Sequence, residues 1–408
     1  MTARAVLESA FRAGVEACSP ANLVPRHLPP APDGRVIVLA AGKAAATMAA
    51  AVEAAWDRPL EGLVVTRQGY ARPLRQLELI EAGHPVPDQG SADAAERLLA
   101  LAESAQEGDF VLFLLSGGAS AMLTAAPASL GLEGKIAVTR ALLHSGAPIE
   151  EMNLVRRHLS RIKGGRLAAA AWPATLLTLG ISDVTGDRLE DIGSGPSAPD
   201  PTTLAQACAI LDRCGIAVPR ESLSESIKPG DPSLARATYQ LIGGGAVALA
   251  AAGDHLRDAG YEPIVIAIEA TGEAREVAAD HARIALEYLG QGRRVALLSG
   301  GELTVTVHGA GRGGPNQEYA LALAQALDGA AGVYALAADT DGVDGTHDVA
   351  GAFALPDTLA LLAGAGRDPR RALDDNDAGG AFAAIDGLLI TGPTETNVND
   401  LRMILIEG

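Results

Sequence analysis

The chain has 408 residues, 48% hydrophobic and 20% charged, a balance that supports packed cores and excludes disorder. Its 32 Lys and Arg against 50 Asp and Glu leave a net charge of −18, which argues against nucleic acid or an anionic membrane surface as partner. With only 3% aromatic residues a stacking platform for single strands is also excluded, and an anionic ligand would need the few cations gathered in one place.

The N-terminal stretch sets Arg4, Glu8 and Arg12 among apolar residues, the pattern of an amphipathic helix and not of a signal peptide. Short apolar runs then recur at 36–41, 110–115, 176–179, 241–242, 264–268, 295–298 and 333–337, each followed by a glycine-containing turn and an alanine- and leucine-rich helical stretch. Strands alternating with helices indicate α/β architecture with parallel sheets, and put the ligand-binding residues just after each strand. Residues 193–201 and 218–232 read as connections, rich in Pro, Gly and polar residues, and place a domain boundary near residue 235. The apolar stretch 167–181 is too short for a membrane span and contains Pro173. Cys18, Cys208 and Cys214 make no disulfide framework, which suits a reducing cytoplasm.

Several of these turns carry chemistry. Lys43, after Ala40-Ala41-Gly42, puts an ammonium at a helix N-terminus that already favours anions, although the spacing is not that of a Walker A loop. Ser116-Gly117-Gly118 and Ser299-Gly300-Gly301 are glycine turns whose N–H groups can approach an oxyanion without a Cβ in the way. Arg156, Arg157, His158, Arg161, Lys163 and Arg166 are dense cations in an acidic chain, and helical spacing puts Arg156 and Lys163 on one face. Asp183 and Asp187 follow one strand and Asp339 another, where carboxylates serve as magnesium ligands or as bases for a hydroxyl proton. Arg312, flanked by Gly309, Gly311, Gly313 and Gly314, can reach into a cleft from a mobile loop, and Asn316 follows it. His84 is the most suggestive histidine, but no histidine pair has zinc-ligand spacing. Taken singly, each segment also reads as a turn, a cap or a solvated charge.

Together the segments resemble the glycerate 2-kinase family. The resemblance rests on Ala41-Gly42-Lys43-Ala44, Gly83-His84-Pro85-Val86-Pro87-Asp88, Leu115-Ser116-Gly117-Gly118-Ala119-Ser120-Ala121 and Asn153 through Leu167. It continues with Ser182-Asp183-Val184, Gly193-Ser194-Gly195-Pro196, Ser299-Gly300-Gly301-Glu302, Gly311-Arg312-Gly313-Gly314, Asn316-Gln317-Glu318, Asp339-Thr340-Asp341-Gly342 and Thr391-Gly392-Pro393-Thr394. It implies a Rossmann-like N-terminal domain over 1–235 and a smaller C-terminal α/β domain of MOFRL type over 236–408, with the active site in the interdomain cleft. It further implies phosphorylation of the 2-hydroxyl of D-glycerate by ATP with Mg2+, and Lys43 and Arg312 as catalytic cations. Where many members read Gly-Gly-Arg-Asn-Gln-Glu, this chain has Pro315 in place of the arginine.

In such a site the two glycine turns would donate to anions, Arg156 and Lys163 would anchor an anionic group, and Asn316 would belong to the binding set. Asp183, Asp187 and Asp339 are the metal or proton candidates, and the sequence does not separate them. Members of the family are sometimes labelled hydroxypyruvate reductase. That NAD(P)H-dependent reading would want a G-x-G-x-x-G turn, and the turn at Gly42 lacks the spacing. A third reading is a non-catalytic anion-binding protein. The expected partners are small molecules, in the cytoplasm, with oligomeric state left open, a homodimer included.

Overall fold

The apolar runs become strands because backbone buried on both faces is satisfied only by pairing with neighbours. The computed structural model describes every residue except Thr185, Thr346 and His347. It falls into two units, Pro20–Ile242 and the combination of Met1–Ser19 with Gly243–Gly408. The expected division at 235 therefore shifts to 242, and the N-terminal helix Ala3–Ala17 joins the C-terminal unit. Its buried face explains this: Val6, Leu7, Ala10 and Phe11 share a core with Leu249, Leu256, Leu298 and Met403.

In the first unit β1 (Val36–Ala41), β2 (Glu61–Arg67), β3 (Glu78–Ala82), β4 (Phe110–Leu115), β5 (Thr175–Ile181) and β6 (Ala237–Gly243) form one sheet. The order is β3-β2-β1-β4-β5-β6, and the pairings β3–β2, β2–β1, β1–β4 and β4–β5 are parallel. The winding reverses between β1 and β4, where open α/β sheets place their ligands. Ile37, Leu39, Val111, Phe113 and Leu115 pack with Ala94, Ala95, Leu98 and Ala102 of the helix Gln89–Glu103. Asp88, the last residue of the Gly83–Asp88 segment, caps that helix by accepting from Ser91 N at 2.8 Å. The apolar runs alone miss β2 and β3, because Glu61, Thr66, Glu78 and Glu81 interrupt them. The edge strand β3 needs only partial burial.

Residues 193–201 and 218–232 are not free connections. The first is largely buried and bonded to the Gly164–Gly165 turn, with Gly165 N donating to Gly195 O at 2.8 Å. The second lies inside the first unit.

The C-terminal unit holds β7 (Glu262–Ala267), β8 (Arg294–Ser299), β9 (Val333–Asp339), β10 (Gly351–Ala354), β11 (Leu388–Leu389) and β12 (Asp400–Glu407) in the order β11-β10-β9-β12-β8-β7. Only β7–β8 is parallel; β12 enters antiparallel between β8 and β9. The parallel sheet expected here is thus a mixed one. Val295, Leu297, Ile404 and Ile406 face the helices Ala274–Tyr288 and Pro315–Leu327, and Leu298, Met403 and Leu405 face the N-terminal helix. Among the described residues no helix is long and apolar enough to cross a membrane.

Candidate functional site

The ends of β1 and β4 are tied into one platform. Lys43 N donates to Gly117 O at 2.9 Å, Ala44 N to Ser116 Oγ at 3.0 Å, and Ser116 N to Ala41 O at 3.0 Å. Gly42 has φ +128°, and a Cβ there would overlap Ser116, so glycine is required for the two turns to lie side by side. Lys43, half-buried, immediately precedes the helix Ala45–Ala55. At the end of β5 the Asp183 carboxylate rests on Gly117, where any Cβ would collide with Asp183 Oδ2. The ring of His84 lies over Gly118, whose φ is +81°. Lys43, Ser116, Gly117, Gly118 and Asp183 are therefore gathered at the point where the winding reverses. Asp187 lies farther along the same segment with φ +49°; Thr185 between them is outside the described residues.

Beside this platform is a cavity of about 230 Å³ whose lining includes His84, Ser120, Thr124, Lys135, Arg156 and Lys163. Lys163, 1% exposed, donates to Ser120 O at 2.7 Å and Gly193 O at 3.4 Å. Lys135, 6% exposed, donates to Leu159 O at 2.9 Å, and Arg156 donates to Asn153 Oδ1 at 3.2 Å. None of the three has a carboxylate in salt-bridge range among the described residues. Burial, with Arg156 and Arg166 nearby, brings the Lys135 ammonium down to about 7. Burial, then Lys135 and Arg156, pushes Lys163 well below the usual lysine range. Such a cavity is built for an anion, which would restore the charge that burial disfavours.

Arg156 and Lys163 meet there, but not by sharing a helix face. The helix Ile149–His158 ends before Lys163, and Gly164 (φ +60°) and Gly165 (φ +81°) turn the chain so that the lysine reaches back to Ser120. The rest of the basic cluster is structural. Arg157, 2% exposed, donates to Asp191 Oδ1 at 3.0 Å and forms an ion pair with Asp200 Oδ2 at 3.1 Å. His158 contacts Glu225 at 3.2 Å, Arg161 pairs with Glu96, and Arg166 donates to the carbonyls of Arg157 and Lys163 at 2.8 Å.

In the C-terminal unit the predicted residues divide differently. Arg312 is exposed on a loop held at both sides, with its N donating to Asp377 Oδ1 at 3.1 Å and its O accepting from Gly379 N at 2.7 Å. These bonds hold the loop close to the segment 375–379: its glycines allow close approach, and a Cβ on Gly311 or Gly314 would crowd Asp375, Asp377 or Asp344. Asn316 is buried and committed to structure, its side-chain amide reaching Asp344 Oδ1 at 3.3 Å and Asp400 Oδ1 at 2.6 Å. Asp344 also accepts from Asn316 N and Gln317 N at 3.0 and 2.9 Å, capping the helix in which Pro315 is the first residue, a position proline suits. In the Ser299–Gly301 turn the Gly300 N–H is spent on Ala267 O at 3.0 Å, and the Gly300 and Gly301 carbonyls accept from Arg402 at 3.2 and 2.9 Å. That turn is a braced corner, so the expectation that the Gly300 amide donates to a ligand fails.

Asp339 sits at the end of β9 in the C-terminal unit, accepting from Asp341 N at 2.8 Å. Among the described residues no group of three or more His, Cys, Asp or Glu side chains could hold a metal, so the three aspartates form no ready cage. Sequence reasoning missed Lys135, although it shares a helical face with the buried Val138 and Leu142 in the helix Gly131–His144. It also missed Arg402, which alternates onto the face of β12 that carries Ile404 and Ile406.

A family model described as a domain of unknown function, DUF4147, matches residues 6–228, and the MOFRL family model matches residues 295–400. A protein of Agrobacterium vitis provisionally named hydroxypyruvate reductase is 47% identical over 100% of this chain and 95% of its own length. The D-glycerate 2-kinase of Thermotoga maritima is 42% identical over 96% of this chain and 95% of its own length. The crystal structure of glycerate kinase from Thermotoga maritima matches with a TM-score of 0.92 at 39% identity, covering 98% of each chain. With the strand order, the Lys43 platform and these matches in hand, the chain belongs to the glycerate 2-kinase family, a DUF4147 region followed by a MOFRL region.

Proposed function

We propose that this chain transfers the γ-phosphoryl group of ATP to the 2-hydroxyl of D-glycerate, giving 2-phosphoglycerate and ADP. The observation that carries the reading is the platform at the ends of β1, β4 and β5. It sets a lysine, two glycine turns' worth of backbone and the Asp183 carboxylate beside a cavity lined by cations. Phosphoryl transfer asks little covalent help of a protein; it needs the reactants placed in line and the charge on the equatorial oxygens neutralised. Lys43 and Arg312 are the cations assigned to the migrating phosphoryl group. Arg156 and Lys163 anchor an anionic group. Magnesium bound with the nucleotide is commonly held by one or two carboxylates plus phosphate oxygens, so a lone carboxylate fits it, and Asp183 would hold it. When bound, the ion supplies charge neutralisation on the phosphates.

The reductase reading is disfavoured by the same turns. The space beside Gly42 is taken by Ser116 of this chain, and β2 ends in Thr66-Arg67, without the acid that holds a nicotinamide cofactor's ribose. NMR identification of the product from D-glycerate and MgATP tests the assignment. The expected product is 2-phosphoglycerate; formation of the 3-phosphate, or NADH consumption with hydroxypyruvate and no phosphorylation, overturns it.

A further inference from the structure

We propose that the cavity lined by Lys135, Arg156 and Lys163 is the seat of the acceptor's carboxylate, and that Lys135 is a residue determining specificity for a small hydroxy acid. The proposal rests on the kinase reading and deepens it by separating the acceptor's place from the nucleotide's. Three observations carry it.

The first is size. Pockets for drug-sized ligands run to about 300–1,000 Å³, and this one, about 230 Å³, lies below that range and matches a three-carbon acid. The second is lining. Ser120, Thr124 and Thr139 offer hydroxyls to the hydroxyls of an acid, and among the described residues no aromatic ring other than the His84 imidazole lines the space for a base to stack on. The third is charge. Lys135 is held by a single carbonyl, Leu159 O, so it has donors left for a ligand, whereas Lys163 spends its three on Ser120 O, Ser120 Oγ and Gly193 O and contributes its charge. With Arg156 on the third side they present cations without a carboxylate partner among the described residues. A buried cation keeps its charge cheaply only beside an anion, so a carboxylate is the group the cavity selects.

Lys135→Met keeps the aliphatic stem and removes the ammonium. In the full-length enzyme with magnesium, the KM for D-glycerate is expected to rise ~10-fold or more, the loss typical of a charged hydrogen bond. The KM for ATP should stay within about twofold. Calorimetric titration of D-glycerate without nucleotide should show the same loss, and glycerol, which lacks the carboxylate, should not compete. A raised KM for ATP with that for D-glycerate unchanged would assign the cavity to the nucleotide and overturn the proposal; no change in either would also overturn it. Should Lys135→Met fail to fold, Thr139→Val reads the same KM split one turn along the same helix. Failure of the kinase reading itself shows separately, as wild-type enzyme that forms no phosphoglycerate.

Discussion

The Asp183 carboxylate occupies the space that a side chain on Gly117 would need, so two residues 66 apart in sequence fix each other at the ends of neighbouring parallel strands. Gly117→Ala should therefore displace the carboxylate even though the backbone at 117 is unstrained. We expect kcat to fall by ~10² or more, matching Asp183→Asn, because positioned electrostatic groups are commonly worth that much. The double variant should be little worse than either single one, and a double-mutant cycle on kcat checks this.

Lys43 and Arg312 are the cations we propose for charge stabilisation in the reaction. Removing a cation from a migrating phosphoryl group can cost ~10³–10⁵ in turnover. Lys43→Ala and Arg312→Ala should each lower kcat by at least ~10² with circular dichroism unchanged. Near-normal turnover in either folded variant removes that residue from its role.

The acceptor's affinity should depend on pH through Lys135. Burial and the nearby Arg156 and Arg166 bring its ammonium down to about 7, with Lys163 and His84 also lining the cavity. An anion binds the charged form better, so affinity holds below pH 7 and weakens as pH rises above it. KM for D-glycerate should climb by up to ~10-fold per pH unit until the occupied cavity's own pKa is passed. Lys135→Met should flatten that limb of the KM profile, measured with the ATP concentration saturating.

Arg157, next in sequence to Arg156, should behave in the opposite way. It is buried between Asp191 and Asp200, so Arg157→Met leaves the buried Asp200 carboxylate without its cation, while Asp191 keeps Arg188. The expected loss is about 3–5 kcal/mol of unfolding free energy, read from urea denaturation. Arg156→Met, half-buried and unpaired with any described carboxylate, should cost little stability and weaken binding instead.

The local pattern of the chain was enough for its α/β class, for strands such as Val36–Ala41 and Phe110–Leu115, and for the turns that carry Lys43, Ser116 and Asp183. Continuous apolar runs and paired glycines are local signals, and each states its own burial or backbone demand. What folding alone decided is which of those turns meet. It brought Asp183 onto Gly117, and it split six adjacent cations into two that face a cavity and four that hold the framework. It committed Asn316 to Asp344 and Asp400, and placed the antiparallel β12 between β8 and β9. A side chain's partner depends on residues tens to hundreds of positions away, and a charge reads the same along the chain whether its neighbour in space is water, a carbonyl or a carboxylate. Burial sets its energy, and burial is a property of the packed whole.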